Sequence, residues 1–74
     1  MDQSHYLSTE RLGNGETIKW VSYGRQGLIE AIESADWNVK RGNALSVKVE
    51  RLMPNGYRKA VYRRAGDSTW TPSP

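Results

Sequence analysis

The stretch ALSVKVERLMPNGYRKAVYRRA, residues 44–65, decides how the rest of the chain is arranged. Two runs rich in apolar and β-branched residues, 44–53 and 57–65, flank Pro54-Asn55-Gly56. Proline presets the first corner of a type I turn, asparagine is tolerated at the second, and glycine takes the left-handed position that closes a three-residue loop. The stretch therefore predicts a β-hairpin.

The loop length sets which side chains share a face of this hairpin. With a three-residue loop, Val49 faces Val61 and Lys48 faces Tyr62, because opposed residues point to the same side of a sheet. A two-residue turn at 55–56 would set Val49 against Tyr62 instead. We favour the longer loop because it pairs the two valines. One face is then apolar, and the other carries Ser46, Lys48, Glu50, Arg58, Ala60, Tyr62 and Arg64, with Leu52 as an apolar exception.

A second hairpin is predicted upstream, where Gly13-Asn14-Gly15 separates the strand-like runs 6–12 and 16–23. Asn-Gly between such runs is a strong hairpin signal, and a two-residue turn there would oppose Glu10 to Lys19. The second run holds the better strand formers. The first run is more polar, which makes it the candidate edge strand.

Between the two hairpins the apolar period changes from two to 3.6. Leu28, Ile32 and Ala35 fall on one stripe, which predicts a helix over residues 26–37. Acidic side chains lie mostly away from that stripe and form a predicted acidic surface. Its members are Glu30, Glu33 and Asp36.

The order strand, strand, helix, strand, strand predicts one α+β domain over residues 6–65. A small antiparallel sheet of three to four strands would carry the helix on one face and leave the other face open, because each face must be covered or polar. We expect residues 1–5 to be a disordered N-terminus and 66–74 a flexible tail, since that tail combines serine, threonine and two prolines.

Composition disfavours catalysis and metal binding. The 74 residues include no cysteine, which excludes disulfides and cysteine-ligated metals, and a single histidine, His5, in a polar terminus. An acid–base or metal site needs convergent partners that this histidine lacks. We therefore expect a non-enzymatic protein with no cofactor and no metal.

The same composition bears on location and partners. No run approaches the roughly 18 apolar residues that span a bilayer, and the first five residues are not a signal peptide, so we expect a cytoplasmic protein without membrane contact. The formal net charge of +3 and the pI of about 9.5 favour acidic partners.

Two binding functions remain open for the basic face of the hairpin predicted for residues 44–65. Cations beside an aromatic ring can hold a phosphate backbone and stack a base, which would make the protein an RNA or single-stranded DNA-binding module. A basic hairpin opposite an acidic helix also suits a regulator or inhibitor that docks onto a larger protein and blocks its target, and we favour that function here. The predicted contact residues are Lys48, Arg51, Arg58, Tyr62 and Arg64.

Trp70 lies in the predicted tail and is a separate candidate. An aromatic side chain there either folds back onto a sheet edge or is presented to a partner as an anchor. The sequence leaves both alternatives open.

Residues 28–38, LIEAIESADWN, follow a strand that ends at Tyr23 and precede a strand of alternating valines with an arginine. This arrangement resembles the small bacteriophage-encoded inhibitors of host bacterial RNA polymerase. The resemblance implies a small sheet packed on one helix, no enzymatic activity, and binding to the polymerase in the host cytoplasm through charged side chains. Arg51 is the position that best matches a strand arginine of that family, followed by Lys48. The chain departs from the family in its last strand and in the length of the loop after the helix.

Overall fold

A computed structural model describes residues 4–72 of the chain, and this part forms five strands and one helix. In chain order the elements are β1 (His5–Arg11), β2 (Thr17–Tyr23), α1 (Gly24–Lys40), β3 (Ser46–Leu52), β4 (Arg58–Ala65) and β5 (Ser68–Trp70). All neighbouring strands pair antiparallel, in the order β2-β1-β3-β4-β5. The predicted α+β class is therefore confirmed.

Two features of the predicted topology are wrong. The sheet has five strands rather than three to four, because Ser68–Trp70 pairs with β4 where a flexible tail was expected. The first strand is central rather than an edge, because β1 is hydrogen-bonded to both β2 and β3. Its polar side chains are buried there: Ser8 is fully buried, and Glu10 accepts a 2.8 Å hydrogen bond from Asn38 of the helix. The predicted disorder of residues 1–5 falls partly outside the described residues, and His5 already belongs to β1.

The first hairpin closes with a three-residue loop, not the predicted two-residue turn. The Leu12 amide donates to the Glu16 carbonyl at 2.9 Å, and Gly15 has a φ of 89°. The Asn14 side chain accepts a hydrogen bond from the Glu16 amide at 3.0 Å. The longer loop shifts the register by one residue, so Glu10 faces Ile18 instead of Lys19.

The second hairpin closes with the same loop, as predicted. The Met53 amide donates to the Tyr57 carbonyl at 2.8 Å, and Gly56 has a φ of 86°. The left-handed region is open to glycine because it has no Cβ, so glycine fits the closing position of both loops.

A β-bulge in β4 changes the faces of the second hairpin. Next to the loop the register is the one that a three-residue loop dictates, with Glu50 facing Ala60. Val49 then faces Tyr62 rather than the predicted Val61, because Val61 is the extra residue of the bulge. Beyond it, Lys48 faces Arg63 rather than Tyr62, and every later side chain of β4 is on the opposite face from the predicted one.

The helix covers one face of the sheet and is longer than predicted, with 17 residues. Its buried residues are small and spaced by four: Gly27, Ala31, Ala35 and Val39. A Cβ at Gly27 would lie 3.1 Å from the backbone of Ser22, so the first turn lies very close to β2. The core between the layers consists of Tyr6, Ala31, Ala35, Val39, Ala44, Val47, Val49 and Tyr62.

Candidate functional site

The face of the sheet opposite α1, here called the open face, is exposed and basic. Strand side chains alternate between faces, so the positions that flank the core residues project from this side. Its cations are Arg11, Lys19, Lys48, Arg58 and Arg63, and its central carboxylate is Glu50. Glu50 lies 3.7 Å from the Lys48 ammonium, an ion pair that solvent weakens because Lys48 is 46% exposed.

A groove of about 400 Å³ crosses the open face, with lining residues from all five strands. Arg11, Lys48, Arg63 and Arg64 line it, together with Trp70 from the last strand. Hydroxyl side chains complete the lining: Thr9, Thr17, Ser46, Ser68 and Thr69. Among the described residues, those that line the groove include no aspartate or glutamate, so the groove favours an anionic ligand.

Trp70 is positioned in the groove by the short fifth strand. Gly66 and Asp67 form a two-residue turn, in which Gly66 has a φ of 57°, and the turn places Trp70 beside Arg63. The Arg63 guanidinium carbon lies 5.1 Å from the centre of the Trp70 ring, within the range of a cation–π contact. The ring remains 44% exposed. Of the two alternatives left by the sequence, Trp70 therefore folds back onto the sheet, and it still presents an aromatic surface to solvent.

The predicted exposure of Tyr62 and Arg64 is wrong, because the bulge turns both toward the helix. The Tyr62 side chain is only 6% exposed and its hydroxyl donates to the Asp36 carboxylate. Arg64 donates to the same Asp36 oxygen at 3.1 Å and to the Gly66 carbonyl at 2.7 Å. These two residues and Asp36, here called the Asp36 cluster, join the helix to β4.

The other predicted contact residues are divided between the two faces. Lys48 and Arg58 lie on the open face, as expected. Arg51 lies on the opposite side of β3, where it faces Lys59 of β4, so it is exposed but separate from the groove. Glu30 and Glu33 are exposed on the helix, whereas Asp36 is engaged by Tyr62 and Arg64 and is not part of a free acidic surface.

Burial raises the pKa of Tyr62, and the neighbouring Asp36 carboxylate raises it further, while Arg64 partly offsets the shift. Because the pKa in the folded state lies above the unfolded value near 10, the tyrosine contributes stability that is fully present below about pH 10. That contribution disappears as the pH rises through the pKa of the folded state.

We expect this titration to be visible in Tyr62→Phe. The free energy of unfolding of the unmodified chain should exceed that of Tyr62→Phe by about 1 to 2 kcal/mol at pH 7, the usual worth of a hydrogen bond to a partly exposed carboxylate. Above about pH 10 the difference should shrink by up to about 1.4 kcal/mol per pH unit. Urea denaturation between pH 7 and 11.5 measures this difference in the free energy of unfolding. Because both chains contain the other tyrosines, the titration of those residues cancels when the two free energies are subtracted. A difference that stays constant to pH 11.5 would contradict the assignment.

Two groove residues, Arg11 and Arg63, were not predicted from sequence, and Trp70 was a separate candidate in the tail. Arg63 was assigned to the wrong face because no residue type marks a bulge at Val61. Trp70 had a usable signal: glycine is preferred at the first position of a two-residue type II′ turn, and Ser-Thr-Trp after Gly66-Asp67 is a short strand-forming run.

The described residues include no cluster of metal-ligand side chains and no helix that could span a membrane. Within residues 4–72, no three histidine, cysteine or acidic side chains are grouped as metal ligands would be. In the same range, α1 lacks the length and apolar composition needed to cross a bilayer. Comparison of the chain with protein-family models, curated proteins and solved structures gives no match.

Proposed function

We propose that this chain is a non-enzymatic module that binds single-stranded RNA or DNA across its open face. One observation carries the proposal: the groove is lined by four cations, of which Arg64 is paired with Asp36, by a partly exposed tryptophan and by no carboxylate. Cations that follow a phosphate backbone and an aromatic ring on which a base stacks are the two components of sequence-tolerant single-strand binding.

The shape of the site supports a single strand rather than a duplex. The cations and Trp70 lie on a broad sheet surface, whereas an element that reads duplex bases is a helix or ribbon narrow enough for the major groove. An extended strand can place its phosphates at Lys48 and Arg63 and a base on Trp70. The threonine and serine hydroxyls of the groove would then donate to phosphate or base oxygens.

A second candidate is docking onto an acidic protein, the function that the sequence favoured. The opposite end of the open face supports it, because Val21 is 43% exposed and Tyr23 64% exposed there. Such apolar side chains beside cations suit a protein anchor better than a phosphate backbone. The proposed inhibitor of a host polymerase or another nucleoprotein complex, acting in the cytoplasm, belongs to this second candidate.

An amide chemical-shift titration separates the two candidates. The labelled protein is titrated with mixed-sequence single-stranded DNA, single-stranded RNA and duplex DNA at about 150 mM salt, where screening acts beyond about 8 Å. We expect saturable shifts at Lys48, Arg63 and Trp70 with the single strands and weaker shifts with the duplex. Unchanged spectra would overturn the proposal and leave docking onto protein as the remaining candidate.

Trp70→Ala should weaken single-strand binding without unfolding the protein. Loss of one base-stacking ring costs about 1 to 3 kcal/mol, or roughly a five- to 150-fold higher Kd. Fluorescence anisotropy of a labelled oligonucleotide measures the Kd. Tyr57→Ala is the matched control, because Tyr57 is also an exposed aromatic residue, at 73%, but lies outside the groove. Equal losses in the two variants would remove Trp70 from the site.

A further inference from the structure

The outer edge of β2 is long and unprotected. No strand within residues 4–72 pairs with that side of Thr17–Tyr23. Hydrogen bonds join Leu12 to Glu16 and Ser4 to Gly24, so the alternate β2 residues between them, Ile18, Trp20 and Ser22, bond to β1. The backbone amides and carbonyls of the other β2 residues therefore point outward. These residues are Thr17, Lys19, Val21 and Tyr23.

The two edges of the sheet differ in how they are protected. Proteins usually shorten an edge strand or mark it with charge or proline, because its unpaired backbone groups recruit other strands. The β5 edge has three residues and is followed by Pro72. The β2 edge has seven residues, no proline and one charged side chain, and it exposes 46% of Ile18 and 43% of Val21.

We propose that β2 pairs with β2 of a second copy of this chain, antiparallel and centred on Trp20. Hydrogen-bonded pairs form only between residues whose backbone points outward, so the two-fold axis passes through a residue and not between two residues. The centres that keep at least five of the seven strand residues paired are Lys19, Trp20 and Val21. A centre at Lys19 would set two lysines directly opposite each other. A centre at Val21 would leave the first two residues of the strand unpaired.

Centring on Trp20 uses the whole strand and avoids the like-charge contact. Lys19 then faces Val21 of the second copy, and Thr17 faces its Tyr23. On the helix side, the two Trp20 rings meet at the two-fold axis. The two open faces lie on the same side of one continuous sheet, so the dimer presents both grooves in one direction. This inference does not rest on the proposed nucleic-acid binding.

Two substitutions at one position test the register. Val21→Lys places a lysine opposite Lys19 twice in each dimer, whereas Val21→Glu places a carboxylate there, and both change the same exposed side chain. Sedimentation equilibrium between about 10 µM and 1 mM should show the unmodified chain approaching twice its monomer mass of 8.4 kDa. The dimer Kd of Val21→Lys should exceed that of Val21→Glu at least about tenfold, since each dimer contains two such cross-strand charge pairs.

The dimer and its register are each tested by a further measurement. The double variant Lys19→Glu with Val21→Lys should restore the dimer, because it exchanges the charges and keeps the register. A mass of 8.4 kDa up to 1 mM would overturn the dimer. Equal Kd values for Val21→Lys and Val21→Glu would overturn the centre at Trp20. Circular dichroism of each variant confirms that the comparison is between folded chains.

Discussion

Tyr62→Ala is expected to lower the free energy of unfolding by about 3 to 5 kcal/mol, the usual cost of truncating a buried aromatic residue. The ring is 6% exposed in the core, and its hydroxyl is bonded to the Asp36 carboxylate. Small domains have about 5 to 15 kcal/mol of stability in total, and 74 residues lie at the lower end of the size range. A large fraction of the variant should therefore be unfolded at 37 °C. Urea denaturation followed by circular dichroism measures the loss.

The control for this prediction is Tyr57→Ala, which removes a ring that is 73% exposed. Its free energy of unfolding should change by no more than about 0.5 kcal/mol. The comparison also tests the register of β4. If Tyr62→Ala were as stable as the unmodified chain and instead lost nucleic-acid binding, Tyr62 would lie on the open face, as the hairpin without a bulge predicts.

The parts of the fold that depend on local chemistry were predictable from sequence. Pro54-Asn55-Gly56 predicted its loop correctly, because proline, asparagine and glycine each meet one backbone requirement. The stripe of Leu28, Ile32 and Ala35 predicted the helix, although its ends lie farther out, at Gly24 and Lys40. The N-terminus of the helix has no capping signal, because Tyr23 makes no side-chain capping bond. The C-terminus does have one: Gly42 has a φ of 79°, its amide donates to the Val39 carbonyl at 3.1 Å, and the next amide donates to the Asn38 carbonyl at 2.9 Å, as in a Schellman motif.

The site was less predictable because it depends on the register between strands. A single extra residue at Val61 moves Tyr62 and Arg64 to the buried face and Arg63 to the open face. Val61 and Tyr62 are both good strand formers, so local preference does not distinguish a bulged from a regular β4. The choice is made by tertiary contacts: the bulge lets Tyr62 fill the core and reach Asp36, a helix residue 26 positions earlier. The alternation of apolar and polar residues along β4 does not reveal that Tyr62 contacts Asp36.

Double charge reversal on the groove, Lys48→Glu with Arg63→Glu, is expected to raise the Kd for single-stranded DNA at least about 100-fold at 150 mM salt. The two cations face each other across β3 and β4 in the groove, so the variant replaces two phosphate contacts by two repulsive carboxylates. The slope of log K against log salt should fall in magnitude by about 1.4, since each single-strand phosphate contact contributes about 0.7.

The matched control is Arg51→Glu with Lys59→Glu, because these cations also face each other across β3 and β4 but project from the opposite side of the sheet. Each double variant lowers the formal net charge by 4, from +3 to −1, so long-range attraction to the oligonucleotide changes equally. Only the groove variant should lose the steep salt dependence, as measured by anisotropy at several salt concentrations.

Equal losses in both variants would mean that net charge, and not the groove, binds the strand. A loss confined to the Arg51 variant would instead place the site on the opposite side of the sheet, at the arginine that the sequence analysis favoured. Since the two pairs lie on the same two strands but project from opposite faces, the comparison tests whether the open face is the binding surface.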